Sequence, residues 1–349
     1  MDQELYFFDL NYKDLQGLFE KWEAPSYRAY QVWEGIYKHL YSRPDLITSL
    51  PGDLRNKLGK RLQFFRLQPI SSIDSKDRNT HKILFQLPDN LAIETVLMTY
   101  NKRQTLCVST QAGCAMGCVF CATGQMGFKR NLSSGEIVEQ VIYFARLLQR
   151  NSQRVTNVVL MGMGEPFHNY EATMAAIDRL NHPEGFGLGS RRFTISTVGI
   201  IPMIVRFAKE RKQINLAISL HTVDDALRSS MLPINKKYPV NELLEASRYY
   251  VATTNRRITF EWALIRDIND TPEQAHQLGK TIGDLQCHVN IIPLNPTKSY
   301  SGKATTQARA KAFKFILEGY GIPCTIRVRR GIDIQAGCGQ LAINSKIHP

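Results

Sequence analysis

Six short β-rich runs, separated by longer helical patterns, are the feature that most restricts the fold of this 349-residue chain. Strands that alternate with helices form a parallel sheet, and six such units predict an α/β fold built as a partial (β/α)6 barrel. A later run, Cys324 to Val328, predicts an additional edge strand. The six runs are Gln104 to Thr110, Asn157 to Met161, Arg192 to Thr197, Ile214 to Leu220, Ile258 to Leu264 and His288 to Pro293.

The chain before the first of these runs has a different pattern. Leu10 to Trp22 and Ser26 to Tyr41 carry apolar residues at helical spacing. His81 to Leu87 and Leu91 to Tyr100 are strand-like and flank the turn sequence Pro88-Asp89-Asn90. We therefore predict a small helical domain over 1–70, a β-hairpin and linker over 71–101, the barrel over 102–343 and a tail over 344–349.

Polar and glycine-rich motifs follow the predicted strands at their carboxyl ends. In a parallel barrel those ends meet on one face, where active sites are built. Each motif alone is also typical of a turn or a helix cap, but their shared position favours one ligand site. The motifs are Gly162-Met-Gly-Glu-Pro166, Ser196-Thr197, Ser219-Leu220-His221 and Asn295-Pro296.

Three cysteines follow the first predicted strand with the spacing C-x3-C-x2-C, in the run Gly113-Cys-Ala-Met-Gly-Cys-Val-Phe-Cys121. Thiolates are the usual protein ligands of iron–sulfur clusters. A structural zinc site normally has two knuckles with four ligands, and the sequence has no second knuckle. We predict that Cys114, Cys118 and Cys121 bind a [4Fe-4S] cluster and leave one iron open to a small molecule.

The charge balance favours a polyanionic partner, with 44 basic and 31 acidic residues and a net charge of +13. Basic clusters bind nucleic-acid phosphates through counterion release, although a solvated basic surface has the same composition. No apolar run reaches membrane length, and the odd number of 7 cysteines fits the reducing cytoplasm. The residues expected to hold a nucleic-acid backbone are Lys129, Arg130, Arg191, Arg327 and Arg329.

Together with the tail sequence Ala336-Gly-Cys-Gly-Gln340 and a cysteine seven residues before the cluster motif, these motifs resemble the RlmN/Cfr family of radical S-adenosylmethionine (SAM) RNA adenosine methyltransferases. The resemblance extends from about Trp22 to Leu341. It implies a radical-SAM barrel that binds a [4Fe-4S] cluster and SAM. His221 by itself is more typical of a buried structural histidine than of a ligand contact. The SAM contacts that the resemblance implies are Gly164, Glu165, Ser196, Ser219, Leu220, His221 and Asn295.

The resemblance also implies a use for two further cysteines, because adenine C2 and C8 are too weakly nucleophilic to take a methyl group from SAM directly. In the family, the cysteine matching Cys338 accepts a methyl group as a thiolate, and a 5′-deoxyadenosyl radical from a second SAM activates that methyl group. The cysteine matching Cys107 then resolves the protein–RNA adduct as a disulfide. Glu94 matches a proton acceptor, whereas Cys287 and Cys324 match no role and are expected to be structural.

The implied activity is methylation of adenosine C2 in 23S rRNA, with tRNA at the adenosine 3′ of the anticodon left open. A Cfr-like enzyme that methylates C8 shares most of these motifs, although Gly-Glu-Pro166 favours the RlmN side. A radical-SAM activase or maturase acting on protein would need the cluster but not Cys338, and an iron–sulfur RNA-binding regulator would not cleave SAM. The expected partners are an RNA with an unpaired or flipped base and an electron donor such as a flavodoxin or ferredoxin.

Overall fold

A ten-stranded sheet forms the centre of the protein in the computed structural model, which describes residues 5–342. Its strand order is β14-β13-β12-β11-β10-β9-β6-β5-β4-β3. The tail predicted over 344–349 lies outside the described residues. The strands are β1 Leu5–Tyr6, β2 Leu62–Gln63, β3 Gln68–Asp74, β4 Thr80–Gln86, β5 Ala92–Tyr100, β6 Arg103–Cys107, β7 Gln111–Gly113, β8 Phe128–Asn131, β9 Asn157–Leu160, β10 Phe193–Thr197, β11 Asn215–Ser219, β12 Ile258–Leu264, β13 Cys287–Pro293 and β14 Cys324–Ile326.

The strands from β6 to β14 in this order are all parallel. They correspond to the six predicted strands and the predicted edge strand, so the predicted α/β fold is confirmed. The first strand is shorter than expected: β6 ends at Cys107, and the chain then turns into the small sheet formed by β7 and β8. This turn places the cysteine motif at the carboxyl end of the parallel sheet.

Helices that follow the parallel strands cover the sheet. The helix that follows Ser133 begins with a capping box, in which Ser133 Oγ accepts from the Glu136 N–H at 3.2 Å and Glu136 Oε2 accepts from the Ser133 N–H at 2.8 Å. The helices are α1 Tyr12–Glu20, α2 Tyr27–Tyr37, α3 Gly52–Arg61, α4 Ala122–Gln125, α5 Ser134–Gln149, α6 Tyr170–Asn181, α7 Ile201–Glu210, α8 Asp225–Met231, α9 Val240–Thr254, α10 Pro272–Ile282 and α11 Gln307–Gly319.

The predicted hairpin is the antiparallel pair β4 and β5, and β5 also pairs with β6, so the hairpin extends the main sheet. The sequence analysis missed β3, which pairs with β4 as the edge strand. Most side chains of β3 are exposed, and an edge strand of this kind shows no alternation of apolar and polar residues. Position 70, the predicted end of the helical domain, lies inside β3, and the division into domains stays a prediction.

The N-terminal helices pack on α5 around an aromatic core. Phe7 stacks on Phe64 with ring centroids 4.9 Å apart, and Trp33 is buried beside it. The Glu139 carboxylate of α5 accepts hydrogen bonds from the Tyr6 hydroxyl and the Arg66 N–H. These buried contacts fix the helical region against the barrel. Within residues 5–342, none of the helices combines the length and apolar character that crossing a membrane requires.

Candidate active site

A cleft with an empty volume of about 960 Å³ opens at the carboxyl ends of the parallel strands. It brings together residues that are far apart in the sequence, as the strand-end motifs predict. Leu220 is the exception among the predicted contacts: its side chain is fully buried, and its N–H donates to the Glu261 carbonyl at 3.1 Å. The predicted residues that line the cleft are Cys114, Cys118, Cys121, Gly164, Glu165, Ser196, Ser219, His221, Asn295 and Cys338.

The cysteine motif forms an irregular loop between β7 and α4 on one side of the cleft. The Cys121 N–H donates to the Cys118 carbonyl at 3.1 Å, and the Cys114 N–H donates to the Gly127 carbonyl at 3.0 Å. Apolar side chains, among them Leu232, pack around the thiols. Burial raises the pKa of Cys114 to about 12 and also raises the pKa values of Cys118 and Cys121. The loop therefore holds the three sulfurs in largely apolar surroundings.

This donor set fits an iron–sulfur cluster rather than a single metal ion. In the described part of the chain, no three His, Cys, Asp or Glu side chains are spaced to hold one ion. A single zinc ion draws its sulfur ligands to about 2.3 Å, whereas each thiolate of a cluster binds a different iron. The thiols of Cys114, Cys118 and Cys121 lie close enough to affect one another electrostatically and face a common cleft.

Glu165 is fixed at the base of the cleft. Its carboxylate accepts from the Phe167 N–H at 3.0 Å and the Val198 N–H at 2.9 Å. Burial raises its pKa to about 7, and the hydrogen bonds from neighbouring groups oppose that rise. Gly164, with φ of +102°, makes the turn that brings Glu165 here, and a Cβ at this position would lie 2.6 Å from Gln111 Cβ. The result is a buried acceptor aimed at the ligand space.

His221 is both a buried structural histidine and a cleft residue. Its Nδ1 accepts from the Ala263 N–H at 2.9 Å, and its ring packs edge-on against Phe120. Burial, together with the smaller effect of the positive charge of Arg228, lowers its pKa to about 3. The ring is therefore neutral, and because Nδ1 accepts a hydrogen bond, the proton lies on Nε2. His221 can offer that N–H to a ligand.

Cys338 lies where this cleft meets a second cavity, which Cys107 lines. Its backbone carbonyl accepts from Asn295 Nδ2 at 3.0 Å, and the next residue, Gly339, accepts from the Ala122 N–H at 2.7 Å. Arg327 Nη1 is 3.8 Å from Cys338 Sγ. Both Cys107 and Cys338 are free thiols. The exposed Cys338 sulfur therefore lies between the loop of the three predicted cluster ligands on one side and the Cys107 thiol on the other.

Comparisons with known proteins agree with this arrangement. The model of the Radical SAM superfamily matches residues 108–278, and that of the ribosomal RNA large subunit methyltransferase N-terminal domain matches residues 6–63. A probable dual-specificity RNA methyltransferase RlmN of Chloroflexus aurantiacus is 47% identical over 96% of this chain and 92% of its own length. The dual-specificity RNA methyltransferase RlmN 1 of Myxococcus xanthus is 46% identical over 97% of this chain and 95% of its own length. The chain belongs to the RlmN family of radical-SAM RNA methyltransferases.

A solved structure extends this likeness to the whole fold of the RlmN-family chain. The crystal structure of a radical SAM methyltransferase from Sphaerobacter thermophilus has a TM-score of 0.94 and 46% identity, and covers 97% of this chain and 99% of that chain. The resemblance that the sequence motifs predict is confirmed. Radical-SAM enzymes use SAM and a [4Fe-4S] cluster, and this cleft offers groups that suit both.

Glu94 does not line the cleft of this RlmN-family protein. It is buried on β5, where Lys82 Nζ donates to its carboxylate at 2.8 Å and the Ala342 N–H donates to it at 3.0 Å. Lys82 Nζ also donates to the Gln335 carbonyl at 3.2 Å. Burial raises the pKa of Glu94, and the Lys82 charge opposes this. The observed contacts anchor the segment that carries Cys338, and the proton-acceptor role stays a prediction.

Replacing Lys82 with methionine is expected to lower the free energy of unfolding by about 3 to 5 kcal/mol, because one partner of a buried ion pair is left alone. The loss should be greater at high pH than at low pH, since protonation of Glu94 relieves the uncompensated charge. Chemical denaturation of the variant under reducing conditions measures this. The double variant K82M/E94Q should recover most of the loss, and a K82M variant as stable as the wild type would contradict the assignment.

One further polar side chain of the RlmN-family cleft, that of Glu261, was not predicted as a site residue. Glu261 lies within the apolar strand β12 and lines the cleft, and Arg327 lies 3.8 Å from its carboxylate. Among the described residues, no hydrogen-bond donor reaches Glu261 Oε2 or Asn295 Oδ1, although both atoms are buried. In the sequence, Glu261 could have been recognised as a site residue because it is an acidic residue in an otherwise apolar strand.

Two of the five basic residues expected to hold a nucleic-acid backbone either lie far from the cleft or already form ion pairs. Arg191 lies just before the amino end of β10, away from the carboxyl strand ends that form the cleft, and its contact with a nucleic-acid backbone stays a prediction. Arg130 is paired with Asp89 and Glu136. Lys129 is exposed on β8, and Arg329 is exposed at the second cavity, so both stay available to an anionic partner.

Proposed function

We propose that this chain methylates C2 of an adenosine in 23S rRNA, using SAM and a [4Fe-4S] cluster held by Cys114, Cys118 and Cys121. The observation that carries the proposal is the position of Cys338, at the junction of the cysteine-lined cleft and the cavity of Cys107. The names of relatives at 46% and 47% identity support RNA as the substrate. We extend the proposal to tRNA, as the family resemblance implies, and to a cytoplasmic location, where these RNAs would be substrates.

The polar groups of the cleft match the hydrogen-bonding groups of SAM. Glu165 suits the SAM amino group, because a carboxylate is a strong acceptor for a charged donor. The orphaned acceptors Glu261 Oε2 and Asn295 Oδ1 suit hydroxyl or amino donors, and the His221 Nε2–H suits an acceptor. When bound, SAM and the cluster would supply a methyl group and a 5′-deoxyadenosyl radical. The protein supplies binding, orientation and exclusion of water.

Cys338 is proposed to carry the methyl group. It is the one exposed cysteine among the described residues, and its sulfur lies 3.8 Å from Arg327 Nη1, so an incoming methyl donor can reach it beside a positive charge. The charge of a Cys338 thiolate raises the pKa of Arg327, which keeps the guanidinium charged. Gly339, with φ of +77°, lets the chain turn tightly beside the sulfur. The methylated sulfur would then present its methyl carbon to adenine C2.

Cys107 is proposed to release the product. Burial raises its pKa to about 12, Cys338 adds to that rise, and Arg327 opposes it. A protonated thiol keeps Cys107 inert until the adduct forms. Its sulfur would then give up its proton and attack the Cys338 sulfur. The bond from that sulfur to the methyl-derived carbon would break, the carbon would keep the bonding electrons and take up a proton to become the methyl group, and a disulfide would form. A reductant must restore both thiols, and an electron-donor protein such as a flavodoxin or ferredoxin is proposed to reduce the cluster.

The SAM affinity is expected to fall about tenfold between about pH 8 and about pH 6, because protonation of Glu165 removes the charge that attracts the amino group. The carboxyl pKa of about 7 sets this window. The Glu165 carboxylate is charged above this pKa and loses its charge as the pH falls through it, so the attraction to the amino group is lost at low pH. Titration calorimetry at several pH values tests this. Glu165→Gln should bind weakly with a flat profile, and a wild-type profile as flat as that of the variant would count against the contact.

The proposed function is tested by anaerobic incubation of the enzyme, loaded with iron and sulfide, with SAM, a low-potential reductant and protein-free 23S rRNA. Mass spectrometry of the digested nucleosides should show 2-methyladenosine. 8-Methyladenosine would assign the Cfr-like reaction instead. Cleavage of SAM without any methylated adenosine in rRNA or tRNA would reject RNA as the substrate and leave the protein-activase alternative.

A further inference from the structure

A buried arginine holds the carboxyl ends of β10 and β11 together. Arg228 lies on α8 with 0% exposure. Its Nη2 donates to the carbonyl oxygens of Val198 at 2.8 Å and Ser219 at 3.0 Å, and its Nε donates to that of Leu220 at 3.1 Å. Nη1 donates to Asn235 Oδ1 at 2.7 Å. Because the guanidinium presents its donors in a rigid fork, this side chain fixes the spacing of the two strand ends.

The same strand ends carry much of the cleft. Ser219 and His221 line the cleft at the end of β11, on either side of Leu220. The Val198 N–H, at the end of β10, donates to Glu165 at 2.9 Å. Each backbone carbonyl that Arg228 holds therefore belongs to a residue that lines the cleft or directly adjoins one that does. Loss of the fork would disturb several of the proposed SAM contacts together.

The helix of Arg228 is also attached to the cysteine loop. The Val119 N–H donates to the Met231 carbonyl at 3.1 Å, and Met231 packs in one apolar cluster with Cys118. Arg228 and Cys118 are near enough to interact electrostatically. Burial lowers the pKa of Arg228 to about 10 against the opposing charges of Cys118 and Asp225. The positive charge thus lies close to the sulfur ligands.

Arg228 forms no direct ion pair in the described part of the chain, where its hydrogen bonds go to three carbonyls and one amide. Asp225, on the same helix, contributes a favourable charge without touching the guanidinium, because its carboxylate accepts from Asn235 Nδ2 at 2.8 Å and the Val240 N–H at 2.9 Å. Proteins normally pair a buried charge directly, because desolvation without an ionic partner is costly. A [4Fe-4S] cluster held by three thiolates is anionic and would supply a further counter-charge.

We propose that Arg228 is a positioning residue that sets the strand ends around SAM and serves as the buried counter-charge of the iron–sulfur cluster. The inference rests on the proposed function, since it needs the cluster to bind. Addition of one electron makes the cluster more negative by one charge, so a neighbouring cation favours the reduced form and raises the reduction potential. The electron comes from a low-potential donor.

The test compares Arg228→Gln and Arg228→Lys with the wild type, each loaded with iron and sulfide without oxygen. Redox titration followed by electron paramagnetic resonance measures the potential, and calorimetry measures SAM affinity. R228Q should make reduction about tenfold less favourable, a shift of about 59 mV to lower potential for a one-electron couple. R228Q should also weaken SAM binding about tenfold. R228K keeps the charge but not the fork, so its potential should stay near that of the wild type while SAM binding weakens.

Arg179→Gln is the matched control, because Arg179 is also buried and donates to a backbone carbonyl, that of Asp9, but lies on α6 against the N-terminal region. It should leave the potential and SAM affinity unchanged. An R228Q variant equal to the wild type in both quantities would overturn the inference, and so would an R228K variant with the potential shift expected of R228Q. If R228Q fails to fold, R228K alone tests the inference, which then requires a reduction potential near that of the wild type together with weaker SAM binding. A wild-type chain that assembles no cluster would overturn the proposed function as well.

Discussion

Replacing Cys338 with alanine is expected to reduce RNA methylation to below about one-thousandth of the wild-type rate, because the variant has no sulfur to accept and deliver the methyl group. The cluster and SAM should still bind, since the Cys338 side chain is exposed and its backbone carbonyl, not its sulfur, holds the loop to Asn295. Nucleoside mass spectrometry measures the product, and iron content with SAM calorimetry measures the retained binding.

Cys324→Ala is the matched control for this prediction. Cys324 is buried on β14, three residues before Arg327, and its sulfur approaches only the Ile322 carbonyl at 3.3 Å among the hydrogen bonds of the described residues. The control should retain near wild-type methylation. A Cys338→Ala variant with full activity would exclude a methylated cysteine and favour the alternative of an activase that acts on protein.

Replacing Cys107 with alanine is expected to trap RNA on the protein. The variant can still accept a methyl group on Cys338 and form the bond to adenine, but it has no second thiol to release the product. Turnover should fall below about one-hundredth of the wild-type rate. A denaturing gel of the reaction with labelled RNA should show a band of covalent protein–RNA complex, and peptide mapping should place the RNA on Cys338.

Cys287→Ala is the control for the trapped complex, because Cys287 is a buried core thiol of β13. It should turn over normally and show no covalent band. The double variant C107A/C338A should also show none, since the attachment site is gone. A Cys107→Ala variant that completes many turnovers without a trapped complex would show that another group releases the product.

The parallel sheet and the cysteine loop could be predicted from the sequence because both depend on local patterns. β-rich runs such as Ile258 to Leu264 alternate with amphipathic helices, and that alternation by itself implies parallel strands. The cysteine spacing and the strand-end motifs are likewise continuous in the chain. Their convergence in one cleft then follows from the geometry of a parallel sheet, in which all carboxyl ends lie on one side.

Contacts between segments that are distant in the chain could not be predicted from the sequence. β3 has mostly exposed side chains, so no hydrophobic alternation marks it. Glu94 lies on a strand, where a carboxylate is usually solvated, yet Lys82 and the backbone of Ala342 bind it in a buried position. In the sequence, nothing distinguishes Arg228 from other arginines in helical segments. Only the fold brings its guanidinium to the ends of two strands.

The central claim is that Cys338 carries the methyl group to RNA, and an isotope experiment tests it most directly. The enzyme is first methylated with SAM that bears a deuterated methyl group, then freed of that SAM and mixed with unlabelled SAM, reductant and RNA for one turnover. We predict that the methylated adenosine carries deuterium, because its methyl carbon comes from Cys338. Product that contains only the unlabelled methyl group would mean that the methyl group passes directly from SAM to RNA, and would contradict the account.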